Sequence, residues 1–201
     1  MFERSTALAG RLPPPSAGAA ASPLIVGEVS GFTLVQASAF PASVAELERI
    51  VQRALGVGLP RSMGMTGGSA DHRIFKVGPE QFWIVSPQHA AIASLQEAVP
   101  WEIGSTVSLS HGRTRLFIEG ASSRAVLSAG IALDLQPEMF PPDAYALTDL
   151  ERTPVLLHCV GRSRYELYVL RTYAVWVWEW LTDAALPFGL EVPGASASGG
   201  S

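Results

Sequence analysis

Two stretches near residue 160, 155–160 and 165–170, are rich in apolar, β-branched and aromatic residues. A Gly-Arg-Ser run at 161–163 separates them and supplies turn residues, so the pattern predicts a β-hairpin. A helix is predicted directly afterwards, over 173–185, with Thr172 as its N-terminal cap. We expect the rest of the chain to pack around this region.

The predicted helix has an unusually wide apolar side. At about 100° per residue, Glu179, Thr182 and Asp183 share a narrow polar side, and the apolar side runs from Trp176 at one border to Trp178 at the other. A helix on a single sheet needs an apolar stripe only a little over about 100° wide. Two interpretations stay open: a large core of the chain's own, or a surface that another protein chain covers.

Residues 1–29 are rich in Ala, Pro, Ser and Gly without a helical or strand period, which predicts an extended arm that does not fold alone. Residues 194–201 form a polar tail that we expect to be disordered. Between them the pattern predicts a strand at 32–36, a helix between Ser43 and Gly56, a hairpin of 73–77 and 81–85, a helix at 86–99, strands at 106–110 and 113–119, a short helix at 122–129, a crossover at 133–144 and a last strand at 188–192.

The order of these elements repeats, because each half reads strand, helix, hairpin, helix, strand. We therefore predict an α+β fold of two tandem ferredoxin-like units, with a first half at 30–110 and a second half at 111–193.

Composition narrows the possible functions. The chain of 201 residues is 48% hydrophobic and only 16% charged, and this low charge content favours a permanent partner. A net charge of -4 gives no support to nucleic-acid binding. Cys159 is the single cysteine, so no internal disulfide can form. No run of about eighteen apolar residues predicts a membrane span, and we expect a cytoplasmic protein.

The sequence offers few groups for catalysis. Gly56 and Gly58 resemble the start of a dinucleotide fingerprint, but they follow a predicted helix, whereas the fingerprint follows a strand. His158 and Cys159 are neighbours in a predicted strand, so their side chains point to opposite faces and cannot share a proton. The four histidines lack metal-ligand spacing. We predict no catalytic residue, cofactor site or metal site in this chain.

One polar stretch, 108–114, interrupts the apolar strand region. Arg113 could pair with Asp134 or with an anionic ligand. A turn held by side-chain hydrogen bonds to the backbone is the alternative. Arg113, Asp134 and His111 are therefore a weak candidate anion or folate site.

Several blocks of the sequence resemble one family in the same order between about residues 59 and 189. They are Gly78-Pro79 with Phe82-Trp83, Ser110 with Arg113-Thr114, Leu133-Asp134-Leu135 with Pro137 and Phe140, Val155-Leu156-Leu157-His158, Leu167-Tyr168-Val169 with Arg171, and Trp178 through Phe188-Gly189. The chain resembles the gamma subunits of heterotetrameric sarcosine oxidase, which are relatives of the folate-binding domain of the glycine cleavage T-protein. Ser108 stands where the family commonly has Asp, and this departure weakens a folate-site interpretation.

The resemblance implies a non-catalytic assembly subunit. Its partners would be the alpha, beta and delta subunits, and those other subunits would hold FAD, FMN, NAD and tetrahydrofolate. The complex would oxidise sarcosine to glycine with hydrogen peroxide and either methylene-tetrahydrofolate or formaldehyde as products. We expect Trp176, Trp178, Phe188 and the N-terminal arm to contact the partners.

Two alternatives remain. One is the matching subunit of another N-methyl amino acid dehydrogenase, such as one acting on N-methylglutamate. The other is a free-standing T-protein-like folate protein with its site at Arg113, Asp134 and His111.

Overall fold

A computed structural model describes residues 6–8 and 23–193. Within these residues the chain forms strands β1 (Leu24–Val29), β2 (Thr33–Ala39), β3 (Gly67–Gly68), β4 (Arg73–Gly78), β5 (Gln81–Ser86), β6 (Gly104–Ser108), β7 (Arg113–Glu119), β8 (Tyr145–Leu150), β9 (Thr153–Gly161), β10 (Arg164–Leu170) and β11 (Leu190–Glu191). The α-helices are α1 (Val44–Leu55), α2 (His89–Ala98), α3 (Ser123–Ser128) and α4 (Ala174–Ala185). The expected α+β class is confirmed.

The first unit comprises residues 31–113 and 143–146. Its five-stranded sheet has the order β3-β4-β5-β2-β6, and the sequence of elements β2-α1-β4-β5-α2-β6 is ferredoxin-like. Alternate residues of the strands turn to one face and pack against α1 and α2. This core includes Val35, Ala37, Ile74, Ile84, Leu47, Val51, Ile92 and Leu95, all at most 1% exposed.

The second unit comprises, within the described part of the chain, residues 6–8, 23–30, 114–142 and 147–193. It contributes to a six-stranded sheet with the order β11-β1-β7-β10-β9-β8. Helix α4 contacts α3, β1 and β10. The predicted hairpin is confirmed as β9 and β10, and its register pairs Cys159 with Tyr165 and His158 with Glu166.

The N-terminal boundary of the fold differs from the expected arm at 1–29, because Leu24–Val29 is a strand. β1 pairs antiparallel with β7, the position that the fourth strand of a ferredoxin-like unit would take, and β11 pairs parallel with β1 at the sheet edge. Gly27 lies opposite Phe117, whose ring occupies the space that a Cβ at Gly27 would need. Residues 1–5 and 9–22 of the predicted arm and the predicted tail at 194–201 lie outside the described residues.

Three further details differ from the sequence-based elements. β8 was not predicted at all, and residues 143–146, which we assigned to the second half, pack in the first unit through the backbone hydrogen bond from Thr66 N to Asp143 O. Helix α4 begins at Ala174 after a 3-10 turn, without a side-chain cap from Thr172. Helix α2 begins at His89, and the Ser86 hydroxyl accepts a hydrogen bond from Gln88 N instead of capping the helix.

The helices of the described segments, 6–8 and 23–193, all lack the length and apolar character that crossing a membrane requires.

Candidate functional site

The polar stretch after β6 is a turn fixed by its own serines. The Ser110 hydroxyl accepts a hydrogen bond from Leu34 N at 2.9 Å and lies 3.2 Å from Leu34 O, to which it donates. Gly112 N donates to Leu109 O, which closes the turn, and His111 is exposed beside it. The geometry matches the structural alternative for this stretch, side-chain hydrogen bonds that replace missing backbone partners.

Arg113 lies on an aromatic ring. Its guanidinium carbon is 4.9 Å from the centroid of Trp83, a cation–π distance, and the Trp83 indole N–H donates to Gln36 Oε1 at 3.0 Å. Partial burial lowers the pKa of Arg113. This arginine is thus held on the first unit's sheet by stacking on Trp83.

Asp134 belongs to the second unit and is exposed. Its Oδ1 accepts a hydrogen bond from Gln136 N at 3.0 Å, the local Asx turn expected for this residue type. Arg113 and His111 belong to the first unit. Each of the three residues therefore has a local structural role or an exposed position within its own unit, and their grouping into an anion or folate site stays a prediction.

A buried ionic cluster in the second unit was not predicted from the sequence. Arg115 on β7 donates from Nε to Glu166 Oε2 at 2.9 Å and from Nη2 to Oε1 at 2.8 Å, while Glu166 is only 2% exposed. Tyr168 O–H donates to Glu166 Oε2 at 3.5 Å, and its ring lies under the Arg115 guanidinium at 5.5 Å. His158 Nδ1 is 3.8 Å from Glu166 Oε2, and Arg164 Nη2 is 3.9 Å from Oε1. We call these five residues the Glu166 cluster.

The sequence signal for this cluster is the alternation of side chains between the two faces of a strand. We used this signal for β7 and not for β10. Arg164, Glu166 and Tyr168 occupy every second position of β10, so they share one face, and Glu166 pairs across the strands with His158. Arg115 reaches the same carboxylate from β7, 51 residues earlier in the chain. A bidentate pair of this kind fixes the register of neighbouring strands as well as neutralising two charges.

His158 and Cys159 cannot act as a pair. His158 is fully buried beside Glu166, and Cys159 pairs across the strands with Tyr165 on the opposite face of the sheet. The Cys159 thiol is buried and donates to Gly161 O at 3.2 Å. The predicted burial of Cys159 is confirmed.

Helix α4 turns a different face inward from the one we predicted. Trp178 is only 7% exposed, so the chain's own residues bury the ring that we assigned to a partner, and that assignment was wrong for Trp178. The reason is Thr182, which we counted as polar surface. Its hydroxyl lies 3.0 Å from the carbonyl oxygens of both Trp178 and Glu179, so it is satisfied within the helix and can be buried.

The opposite border of α4 remains accessible. Trp176 is 41% exposed and Phe188, in the 3-10 turn after the helix, is 38% exposed. Tyr173 and Leu186 are exposed as well. We call Tyr173, Trp176, Leu186 and Phe188 the α4 apolar group. Exposed aromatic residues of this kind are typical of surfaces that another chain covers.

Among the described residues, no group of His, Cys, Asp and Glu has the arrangement that a metal ion requires. Gly56 ends α1 in the left-handed conformation, with φ at 71°, and its N–H donates to Gln52 O. The glycines at 56 and 58 thus follow a helix, as the sequence indicated, whereas a dinucleotide fingerprint follows a strand.

A comparison with protein families matches residues 37–186 to the family described as "Sarcosine oxidase, gamma subunit family". The sarcosine oxidase subunit gamma of Arthrobacter sp is 28% identical to this chain over 173 residues, which is 85% of this chain and 84% of that protein. The corresponding protein of Corynebacterium sp. (strain U-96) is 29% identical over 163 residues, 80% of this chain and 78% of that protein.

Solved structures agree with these sequence matches. A chain of the heterotetrameric sarcosine oxidase from Corynebacterium sp. U-96, in complex with pyrrole 2-carboxylate, superposes with a TM-score of 0.82 at 25% identity, covering 98% of this chain and 99% of that chain. The glycine cleavage system aminomethyltransferase T from Bartonella henselae gives a TM-score of 0.61 at 12% identity, covering 85% of this chain and 48% of that chain. The second likeness shows the T-protein-like fold alone.

Proposed function

The chain belongs to the sarcosine oxidase gamma subunit family, and on that premise we propose that it is the non-catalytic gamma subunit of a heterotetrameric sarcosine oxidase. The complex oxidatively demethylates sarcosine to glycine in the cytoplasm, with hydrogen peroxide and either methylene-tetrahydrofolate or formaldehyde as products. The partners are the alpha, beta and delta subunits.

The observation that carries this proposal is the likeness along nearly the whole chain to one chain of a heterotetrameric enzyme. A fold alone does not imply a function, but here the family model and the curated relatives support the same subunit. Two features of the described residues support a structural role. Arg115, His158 and Glu166 of the Glu166 cluster are buried, and His158 and Cys159 lie on opposite faces of the sheet.

FAD, FMN, NAD and tetrahydrofolate belong, in this proposal, to the other subunits. The purified full chain should therefore lack flavin absorbance and should not oxidise sarcosine. A stoichiometric flavin band that survives gel filtration of this chain alone would contradict the assembly role.

The α4 apolar group is the contact surface that we propose for the partners. Truncating a buried aromatic anchor at an interface costs roughly 2 kcal/mol or more of binding. The variant Trp176→Ala/Phe188→Ala should therefore bind the flavin subunit more weakly. Its apparent affinity, measured by co-elution, should fall at least about thirtyfold. Trp101→Ala is a matched control, because Trp101 is 78% exposed and belongs to the other unit.

Co-expression with the candidate alpha, beta and delta subunits tests the function itself. Sarcosine-dependent formation of hydrogen peroxide should require co-purification of this chain with the flavin subunit. Assembly without sarcosine turnover, but with turnover of N-methylglutamate, would favour the related dehydrogenase. Saturable binding of a reduced folate to this chain alone, lost in Arg113→Gln, would favour the free-standing folate protein.

A further inference from the structure

A cavity in the second unit is unrelated to the surface proposed for assembly. It has a volume of about 390 Å³, within the range of small-molecule sites. Its lining includes Cys159 and Tyr165, which face each other across β9 and β10. Phe140 contributes an aromatic ring from the crossover, together with prolines of the same segment. The interior surface is mostly apolar.

Two arginines line the same cavity. Arg124, at the start of α3, donates from Nε to the Tyr165 hydroxyl at 3.4 Å, which leaves its two terminal amino groups available. This hydrogen bond raises the pKa of Arg124, and the charge of Glu138 acts in the same direction. Arg162 lies in the turn between β9 and β10 and is exposed.

The described lining residues of this cavity include two guanidinium groups and no carboxylate. Over the residues that the structure describes, Arg124 and Arg162 form no ion pair with Asp or Glu. Guanidinium groups bind carboxylates through two parallel hydrogen bonds, and this geometry suits a ligand with one carboxylate.

We propose that this cavity binds a small organic monocarboxylate with an aromatic or branched apolar body. The apolar body packs against Phe140, Cys159 and Tyr165, and the carboxylate pairs with Arg124 and Arg162 at the edge. A neutral ligand offers neither guanidinium an opposite charge, and a dicarboxylate or phosphate compound places a second charge against apolar walls at a desolvation cost. This site is independent of the function proposed for the complex.

The test measures binding of 4-fluorophenylacetate to the purified full chain by fluorine NMR titration. Arg124→Gln and Arg162→Gln should each weaken binding by roughly tenfold or more, because each removes charge-assisted hydrogen bonds. Arg152→Gln is the matched control, since Arg152 is exposed in the same unit and does not line the cavity. Its affinity should equal that of the unmodified chain.

Two further measurements distinguish a specific binding site from non-specific binding. The neutral analogue 4-fluorophenylacetamide should bind more weakly, and the arginine variants should not change its affinity. Cys159→Leu should reduce carboxylate binding by filling the cavity, with the thermal unfolding transition confirming that the variant is folded. The proposal is overturned if millimolar 4-fluorophenylacetate does not bind, if the amide binds equally well, or if the arginine and control variants behave alike.

Discussion

Removing the negative charge of Glu166 should strongly destabilise the chain. In Glu166→Gln the side-chain shape is almost unchanged, but the buried Arg115 guanidinium loses the carboxylate that it contacts at 2.7 to 2.9 Å. Glu166 is 2% exposed, and the Arg115 side chain is 11% exposed. Water therefore cannot compensate for the lost pair.

The expected cost follows from this burial. Breaking a buried ion pair by removing one partner costs about 3 to 5 kcal/mol, because the remaining charge is left buried. Slight exposure of Arg115 favours the lower end, about 3 kcal/mol. The double variant Arg115→Met/Glu166→Leu removes both charges and should be more stable than either single variant, since apolar replacement of a whole buried pair is often neutral or stabilising.

The assay is urea unfolding of the full chain, with the free energy of unfolding compared across the double-mutant cycle of Arg115→Met, Glu166→Leu and their double variant, and with Glu166→Gln measured beside it. The matched control is Glu119→Gln, because Glu119 pairs with Arg164 where the two side chains are 41% and 31% exposed. A pair at this exposure contributes about 1 kcal/mol or less. Equal losses in Glu166→Gln and Glu119→Gln would refute the reasoning, and so would a double variant that loses the sum of both single losses.

Three further predictions concern packing and the thiol. Trp178→Ala should lower the free energy of unfolding by about 3 to 5 kcal/mol in the full chain, and unchanged unfolding with lost co-elution would instead restore Trp178 as a contact residue. Gly104→Ala should lower the melting temperature, because its methyl group would meet the Ser38 carbonyl oxygen between β2 and β6, whereas Gly112→Ala should not, because the nearest atom to its methyl group would be Leu109 O at an ordinary contact distance of 3.7 Å. Cys159→Ser should leave sarcosine-dependent peroxide formation by the complex unchanged, and rapid inactivation by thiol reagents would argue against this expectation.

Local patterns predicted the elements whose partners are close in sequence. The hairpin of β4 and β5 and that of β9 and β10 both occur where alternating apolar residues flank a turn. Helix α1 ends at Gly56 as expected, since glycine adopts the left-handed conformation there at little cost. For these elements the sequence contains both the signal and the partner, so the pattern was sufficient.

Elements that depend on distant partners were missed. β1 has no alternating signal and contains Gly27, which lowers strand propensity, yet pairing with β7, some ninety positions later, makes it a strand. The Glu166 cluster has the same origin, because Arg115 is 51 residues from Glu166. Register across a sheet decides which charges meet, and one sequence does not contain that information.

The prediction of which α4 residues contact a partner depends on whether Thr182 is treated as a polar surface residue or as a buried residue. If Thr182 is counted as a polar surface residue, the apolar side of α4 extends from Trp176 to Trp178. Both tryptophans then lie at its borders. The Thr182 hydroxyl is instead hydrogen-bonded to carbonyl oxygens one turn earlier in the helix. Thr182 is therefore buried, and the buried side of α4 is centred closer to Trp178 than predicted. This shift leaves Trp176 exposed, and Phe188, in the 3-10 turn after the helix, is exposed as well. We therefore propose Trp176, and no longer Trp178, as a contact residue for a partner, because the energy of burying Trp178 belongs to folding of the chain.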